Sequence, residues 1–580
     1  MFKTNKTKII ATLGPSSYKE QDILSLIEAG MDVARINLSH GDRASHAHLI
    51  DAVKHSRTMS GKGTAILLDT RGPEIRVGEL GSGIMLVQGD IITFCNSGTA
   101  ENSIPTNYDK LADDVRPGDY ILLDDGKIRV RVLSTSNGDV AVRIIVGGLL
   151  QSRKRVSLPD VHVNLPSITA QDEADIIFGV QQGVDFIAAS FVRRSDDVWE
   201  VRKVIERAGG NQAIIAKIEN RQGVENLEEI LEAADGLMVA RGDLGVEMPA
   251  EEVPVIQKKI IKEANKVGKP VITATQMLES MIFTPTPTRA EASDVTNAIF
   301  DGTDAVMLSG ETAIGKYPLE AVRFLARSAR ISEEALDYES ILAEGLRHRR
   351  PVITDAISYA SCATAADLSA DAIITATTSG STALRVARYR PKTPIIAVSS
   401  SHASLRKLQL VRGVIPLEGV LAETMDEQLN NVIHTAVQAE LLSNGDVVVI
   451  TAGLPLQTSG TTNMLKVHTV ADICFTGQGI GKQNVSGTVR IINSEQDWNN
   501  LPAKPIIVIS KSDQSMLPHI KQAVGIIAEA PGLTSHAAML GRELSIPVIC
   551  DITQATTHLR NGQMVTLNPK LGQIYYGTHE

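Results

Sequence analysis

Lys217 and Glu219 stand two positions apart and so share one face of an extended strand, and Asp243 follows the next apolar run. Two carboxylates converging from adjacent strands suit a hard divalent cation such as Mg2+, which keeps positions open for water and substrate oxygens. Acids after strands are by themselves more commonly solvated loop residues or helix caps; the lysine beside them shifts the balance toward a site. A fixed ammonium next to a metal stabilises a phosphoryl group in transit, a desolvated lysine forms a Schiff base, and an ion pair with Glu219 is the plain structural reading. The neighbouring carboxylates favour the first. Arg35, Asn37, Ser39, His40, Asp69, Thr70, Thr275, Ser309 and Glu311 also close short apolar runs. Asn37, Ser39, Asp69 and Thr70 offer oxygens for a monovalent cation, although on residue type alone hydrogen bonding within turns is favoured. His40, before Gly41, reads first as a turn residue.

Gathering these side chains requires strands that end together. Apolar runs at 8–13, 33–39 and 65–70 alternate with helical patterns at 20–29 and 44–59, and the rhythm returns at 185–192, 213–219, 236–241, 270–276 and 305–310. These eight βα units predict an α/β protein built on a closed (β/α)8 TIM barrel over 1–72 and 165–340, whose active site lies at the carboxyl ends of the strands. Residues 73–164 carry short alternating strands at 119–123, 127–133 and 139–146 with an Asn137-Gly138 turn. They predict a small β-barrel lid domain inserted after the third strand. Strands at 372–378, 394–399, 413–417 and 446–451 predict an open α/β domain over 341–474. A glycine-rich shift at 477–481 precedes a compact α/β tail at 485–577, and 475–580 is assigned to a fourth domain.

A chain of 580 residues fits about four domains. Hydrophobic residues at 43% and charged residues at 21% belong to a folded chain, not a disordered one. Aromatics at 3% disfavour a base-stacking surface, and a net charge of -10 removes overall attraction to a polyanion or anionic membrane. Neither nucleic acid nor membrane is an expected partner. Cys95, Cys362, Cys474 and Cys550 form no C-x-x-C pair, so neither a disulfide framework nor a zinc site is indicated. The N-terminal stretch lacks the apolar core of a signal peptide, and a cytoplasmic setting is expected.

The segments ARINLSHG (34–41), LDTRGPEIR (68–76), AKIEN (216–220), ARGDLG (240–245), TATQMLES (273–280) and MLSGET (307–312) resemble the pyruvate kinase family, in the family's order, over residues 1–474. The resemblance implies phosphoryl transfer from phosphoenolpyruvate to ADP, giving pyruvate and ATP in glycolysis, with Mg2+ (or Mn2+) and K+. By motif position, Glu219 and Asp243 would bind Mg2+, and Asn37, Ser39, Asp69 and Thr70 would bind K+. Lys217 and Arg35 would stabilise the phosphoryl group in flight. The substrate carboxylate would lie against backbone N–H groups of the Arg241-Gly242-Asp243 turn with Thr275 beside it, and a solvent relay near Thr275 and Ser309, rather than Lys217, would protonate the enolate. Asn37, His40, Arg76 and Lys154 match positions near the ADP phosphates. Glu74 implies a K+ requirement, because relatives that work without K+ tend to carry a lysine there. Where the family usually has Lys-Gly-Val-Asn-Leu-Pro-Gly, this chain reads KRVSLPD over 154–160, without those two glycines at the lid hinge.

The segment TTSGSTA (377–383) either caps a helix or directs hydroxyls and N–H groups at a phosphate. The resemblance favours an effector site at Thr378, Ser379, Gly380, Ser381 and Thr382 for a sugar phosphate or nucleotide, acting on a homotetramer. The tail segment GLTSHAAMLGRELSIP (532–547) is similar to the swivelling phosphohistidine domain of phosphoenolpyruvate synthase and pyruvate phosphate dikinase, with His536 at the phosphorylated position. It is expected to be a non-phosphorylated structural module. The alternatives are a phosphoenolpyruvate phosphotransferase with a His536 relay, and a non-catalytic phosphate-sensing paralogue. The joint presence of Lys217, Glu219, Asp243, Thr275 and Arg35 stands against the paralogue.

Overall fold

Strand periodicity sorts each apolar run into two faces. In the computed structural model, β1 (Lys8–Thr12), β2 (Val33–Asn37), β3 (Ala65–Asp69), β4 (Phe186–Ala189), β5 (Ala213–Ile218), β6 (Gly236–Ala240), β7 (Val271–Ala274) and β8 (Ala305–Leu308) close into a parallel barrel. Each strand lies beside its neighbours in sequence, and β8 lies beside β1. Ile9 and Ala11, Ala34 and Ile36, and Ile214, Ala216 and Ile218 pack outward with the helices. Ile10, Val33 and Ile215 fill the interior. The same parity turns Arg35, Asn37, Asp69 and Lys217 inward, one layer above that apolar plug.

The other end of the barrel is sealed. Leu410 joins the interior cluster, the Lys8 ammonium donates to the Val414 carbonyl at 2.8 Å, and Arg406 pairs with Asp185 at 2.6 Å. Substrate access is therefore left to the carboxyl end.

The described residues are 5–95, 103–420, 422, 424–453, 461–470, 473–499 and 501–577. The chain divides into two compact units, residues 1–441 with 448–467, and 442–447 with 468–580. Between β3 and β4 runs a seven-stranded sheet. Its hairpin of Ile128–Ser136 and Asp139–Val146 turns at Asn137 and Gly138, with φ of +50° and +86°. Asn-Gly is the pair that tolerates such a turn. A bridge between Val77 and Thr106 brings the edge strands Ile75–Arg76 and Ser103–Pro105 together, so the sheet closes on a core that includes Ile121, Val130 and Val140. The strand Arg155–Ser157 pairs antiparallel with Ile75–Arg76, which sets the two connections of the insertion side by side.

Residues beyond the barrel form a five-stranded sheet in the order Val414–Glu418, Ile395–Ser399, Ala372–Ala376, Val447–Gly453, Thr462–Thr469. The last of these is a strand the sequence pattern does not announce. The second unit holds an eight-stranded sheet whose parallel centre is Val485–Ile492, Pro505–Ile509, Gly525–Ala528 and Val548–Cys550. This corrects the reading of 477–481 as a segment ahead of the tail: Gln478–Ile480 pairs with Val548–Cys550, and Ile473–Thr476 pairs with Gln573–Tyr576. A Cβ on Gly477 would come within 2.1 Å of the Cys550 carbonyl, and one on Gly479 within 1.9 Å of the Pro569 carbonyl. Those glycines serve close strand packing, not flexibility. No helix among the described residues is long and apolar enough to cross a membrane.

Candidate active site

At the centre of the polar layer, the Lys217 ammonium lies 3.0 Å from Glu219 Oε1 and 3.1 Å from Asp69 Oδ1, and donates to Ser190 Oγ at 2.7 Å. Asp69 Oδ2 accepts from Arg35 Nε at 2.7 Å, and Arg35 Nη1 donates to Thr12 Oγ1 at 2.9 Å. All four charged residues are buried. Burial opposes the ammonium, but Asp69 and Glu219 outweigh it and hold Lys217 above the usual lysine range. Burial likewise opposes the Asp69 carboxylate, and Lys217 and Arg35 outweigh it, keeping that carboxyl below its ordinary value. A lysine held protonated is a poor nucleophile, so of its two chemistries the charge-stabilising one is supported.

Asp243 lies close enough to Glu219 for the two carboxylates to act on each other. Burial pushes the Glu219 carboxyl up, Asp243 adds to this, and Lys217 only partly offsets them. Burial opposes the Asp243 carboxylate too, but Arg155 and Lys217 outweigh it and hold that carboxyl below its ordinary value, so a divalent cation shared by the two oxygen-donor acids would relieve Glu219. Among the described residues no group of three or more His, Cys, Asp or Glu side chains gathers as a metal cage. The remaining oxygen of Glu219 accepts the Phe191 N–H at 2.5 Å, with Phe191 at φ +57°, a conformation bulky residues rarely adopt.

Thr275 and Gln276 also sit in the left-handed region, at φ +67° and +53°. Arg241 imposes that turn: its Nη2 donates to the Thr275 carbonyl at 2.6 Å while Nη1 pairs with Asp294 at 2.7 Å. Thr275 Oγ1 thereby accepts the Gly242 N–H at 2.8 Å. Ser309 Oγ is buried without a hydrogen-bond partner, and the Ser309 N–H donates to Glu311 at 2.7 Å.

Asn37 and Asp69 are register partners across β2 and β3. Asn37 Oδ1 accepts the Ser39 N–H at 3.0 Å, and Thr70 Oγ1 donates to the Ala188 carbonyl at 3.2 Å. These side chains offer oxygens from two neighbouring strand ends, although both Asp69 oxygens are already held by Arg35 and Lys217. Ser39 and His40 are exposed. Arg76 and Lys154 do not join the Lys217 layer: Arg76 pairs with Glu74, and Lys154 lies 2.6 Å from Asp124.

In the 377–383 loop, Gly380 adopts φ +84° and its N–H donates to Thr377 Oγ1 at 3.0 Å, while Ser379 and Ser381 share a hydroxyl bond at 3.2 Å. Thr382 is turned inward, accepting from Thr462 Oγ1 at 3.0 Å, and the Thr378 carbonyl accepts from Ser404 at 2.9 Å. His536 opens the helix His536–Leu544, with Nδ1 3.0 Å from Ser512 Oγ.

Sequence reasoning missed Thr12, Ser190 and Arg155, which bonds Asp243. Thr12 closes β1 and Ser190 follows β4, the same strand-end positions that mark the other site residues. The signal for Arg155 is a charge where the motif has a glycine.

Family models described as pyruvate kinase, barrel domain, and pyruvate kinase, alpha/beta domain, match residues 4–322 and 355–468, and one described as PEP-utilising enzyme, mobile domain, matches 501–572. Proteins named pyruvate kinase from Geobacillus stearothermophilus, Sporosarcina psychrophila and Staphylococcus saprophyticus are 49%, 47% and 46% identical to the chain, each over 99% of both chains. With that identity running through a barrel whose carboxyl end carries the lysine and paired acids that phosphoryl transfer calls for, the chain belongs to the pyruvate kinase family, phosphotransferases that form pyruvate and ATP from phosphoenolpyruvate and ADP in glycolysis.

Proposed function

We propose that phosphoryl transfer takes place on the Lys217 layer. The observation that carries this reading is one buried ammonium bonded at once to Ser190, Asp69 and Glu219, with Arg35 beside it. Phosphoenolpyruvate docks with its phosphate at Lys217 and Arg35 and its carboxylate at the Gly242–Asp243 turn beside Thr275. A terminal ADP oxygen attacks in line, the bond from phosphorus to the enolate oxygen breaks, and the Lys217 ammonium and Arg35 guanidinium hold the charge spread over the remaining phosphoryl oxygens. The enolate then takes a proton through Thr275 and Ser309 and leaves as pyruvate.

Glu219 and Asp243 would hold Mg2+ or Mn2+, which when bound neutralises phosphoryl charge. Asn37, Ser39, Asp69 and Thr70 would hold K+. Asn37, His40, Arg76 and Lys154 serve the ADP phosphates; Arg76 and Lys154 exchange Glu74 and Asp124 for phosphate as the 73–164 lid closes and excludes water. The setting is the cytoplasm. The test is pyruvate formation from phosphoenolpyruvate and ADP, coupled to lactate dehydrogenase: turnover has to collapse when Lys217 loses its charge and to persist in His536→Ala.

Glu74 makes activity depend on K+, because relatives that work without K+ tend to carry at this position a lysine whose ammonium replaces the ion. Full activity with Na+ or tetramethylammonium as the only monovalent cation would contradict this, and Glu74→Lys lowers the requirement.

The 378–382 loop binds the phosphate of a sugar phosphate or nucleotide and shifts a homotetramer toward its active arrangement. The half-buried Ser381, at the start of the helix Ser381–Ala387, supplies a hydroxyl to it. Ser381→Asp therefore abolishes activation while leaving the unactivated rate intact. Hyperbolic kinetics untouched by fructose 1,6-bisphosphate, ribose 5-phosphate and AMP would remove the regulatory claim.

A further inference from the structure

Arg155 belongs to the lid by its backbone and to the barrel by its side chain. Its main chain pairs with Arg76 in the two-strand connection, while its guanidinium reaches the barrel mouth. There Nη1 bonds Asp243 Oδ1, Nη2 lies 3.7 Å from Glu247 Oε1, and the guanidinium sits 4.7 Å from the centre of the Phe191 ring. The side chain is 11% exposed. Five residues on, Asp160 accepts from Arg221 Nε at 2.5 Å, and Arg221 lies 3.6 Å from Glu252. Arg221 directly follows the Glu219–Asn220 turn, and Asp243 lies in the helix Arg241–Glu247. One short strap of the lid is thus tied by charge to both segments that carry the site's acidic pair.

We propose that Arg155 is a positioning residue that competes with the divalent cation for Asp243 and so sets the metal affinity of this enzyme. The inference rests on Glu219 and Asp243 being the divalent site. A guanidinium and a divalent cation repel each other and call on the same carboxylate, so the charge of Arg155 raises the metal concentration needed to load the pair. Because Arg155 is part of the lid, loading also loosens the strap, and metal binding and lid position become one equilibrium. Asp160 contributes from the far end by holding the strap, and therefore Arg155, against the barrel.

The experiment is a Mn2+ titration of the full chain without phosphoenolpyruvate or ADP, reading free Mn2+ by electron paramagnetic resonance, with far-ultraviolet circular dichroism as the check of folding. Arg155→Gln is expected to bind Mn2+ about tenfold more tightly than the parent chain, since one opposing charge is removed. Arg155→Lys, which keeps the charge, stays near the parent value. Asp160→Asn moves in the same direction as Arg155→Gln by a smaller step, about twofold, without altering any group that touches the acids. Affinity in Arg155→Gln that is unchanged or weaker overturns the proposal, as does an Arg155→Lys variant that tightens as much as Arg155→Gln. Asp243→Asn separates the two layers of inference: if it leaves Mn2+ binding intact, the metal-site reading itself fails. If it removes binding while Arg155→Gln has no effect, only the competition by Arg155 fails.

Discussion

Replacing Lys217 with methionine is expected to lower kcat about a thousandfold or more, equivalent to about 4 kcal/mol of transition-state stabilisation. The expectation follows from where the charge sits. The ammonium is held by Asp69, Glu219 and Ser190 in a buried layer, so it is fixed before substrate arrives and needs no reorganisation as charge develops on the phosphoryl oxygens. KM for phosphoenolpyruvate moves far less than kcat, because the contact is strongest in the transition state. Methionine has similar length, and Arg35 still neutralises Asp69, so the barrel persists. A fall in kcat of less than about tenfold would remove Lys217 from this role. A lysine kept protonated also predicts that pyruvate and borohydride leave no adduct on Lys217.

Asp69→Asn is expected to cost the barrel about 3–5 kcal/mol, the range for breaking a buried ion pair from one side. Asp69 is 1% exposed and is the shared counter-charge of Arg35 and Lys217, which would be left facing each other. Guanidinium unfolding followed at the barrel reads the loss; a multi-domain chain need not unfold in one step, so the barrel transition is the relevant one. The pH dependence has a definite sign. The Asp69 carboxyl is held below its unfolded value, so its stabilisation is fully present above the unfolded pKa of about 4 and is lost as pH falls through the lower folded value. Lys217 is held above its unfolded value, so its contribution is present below about pH 10 and is lost as pH rises through the folded value. On these two groups alone, the gap between parent and variant narrows below about pH 4 and above about pH 10. A variant as stable as the parent at neutral pH would show that Asp69 does not anchor the layer.

The barrel was legible because each strand is a short apolar run, and several of them end in a polar side chain on the inward face. Ile215 and Lys217 share one face, and Val33, Arg35 and Asn37 share another. Turn chemistry announced the lid hairpin at Asn137 and Gly138. What stayed hidden depends on packing between distant segments. Gly477 and Gly479 have the composition of a connector, and only the nearness of the Cys550 and Pro569 carbonyls explains why glycine is needed in a strand. Ser190 is an ordinary residue in sequence; its role comes from Phe191 taking a left-handed turn, which leaves Ser190 Oγ beside Lys217 and aims the Phe191 N–H at Glu219. Arg155 stands far in sequence from Asp243, so no local pattern connects them, although a charge at a hinge position invites the question of what it pairs with.

Phosphoryl transfer on the Lys217 layer is expected to be a single direct displacement, although the second unit carries a histidine, His536, at the start of a helix in a segment matched by a PEP-utilising mobile domain. The stereochemical course at phosphorus tests it most directly, using phosphoenolpyruvate whose phosphoryl group is made chiral with oxygen isotopes. One in-line attack by ADP predicts inversion in the ATP formed. Retention would require two displacements, as in a relay through His536, and would contradict the account.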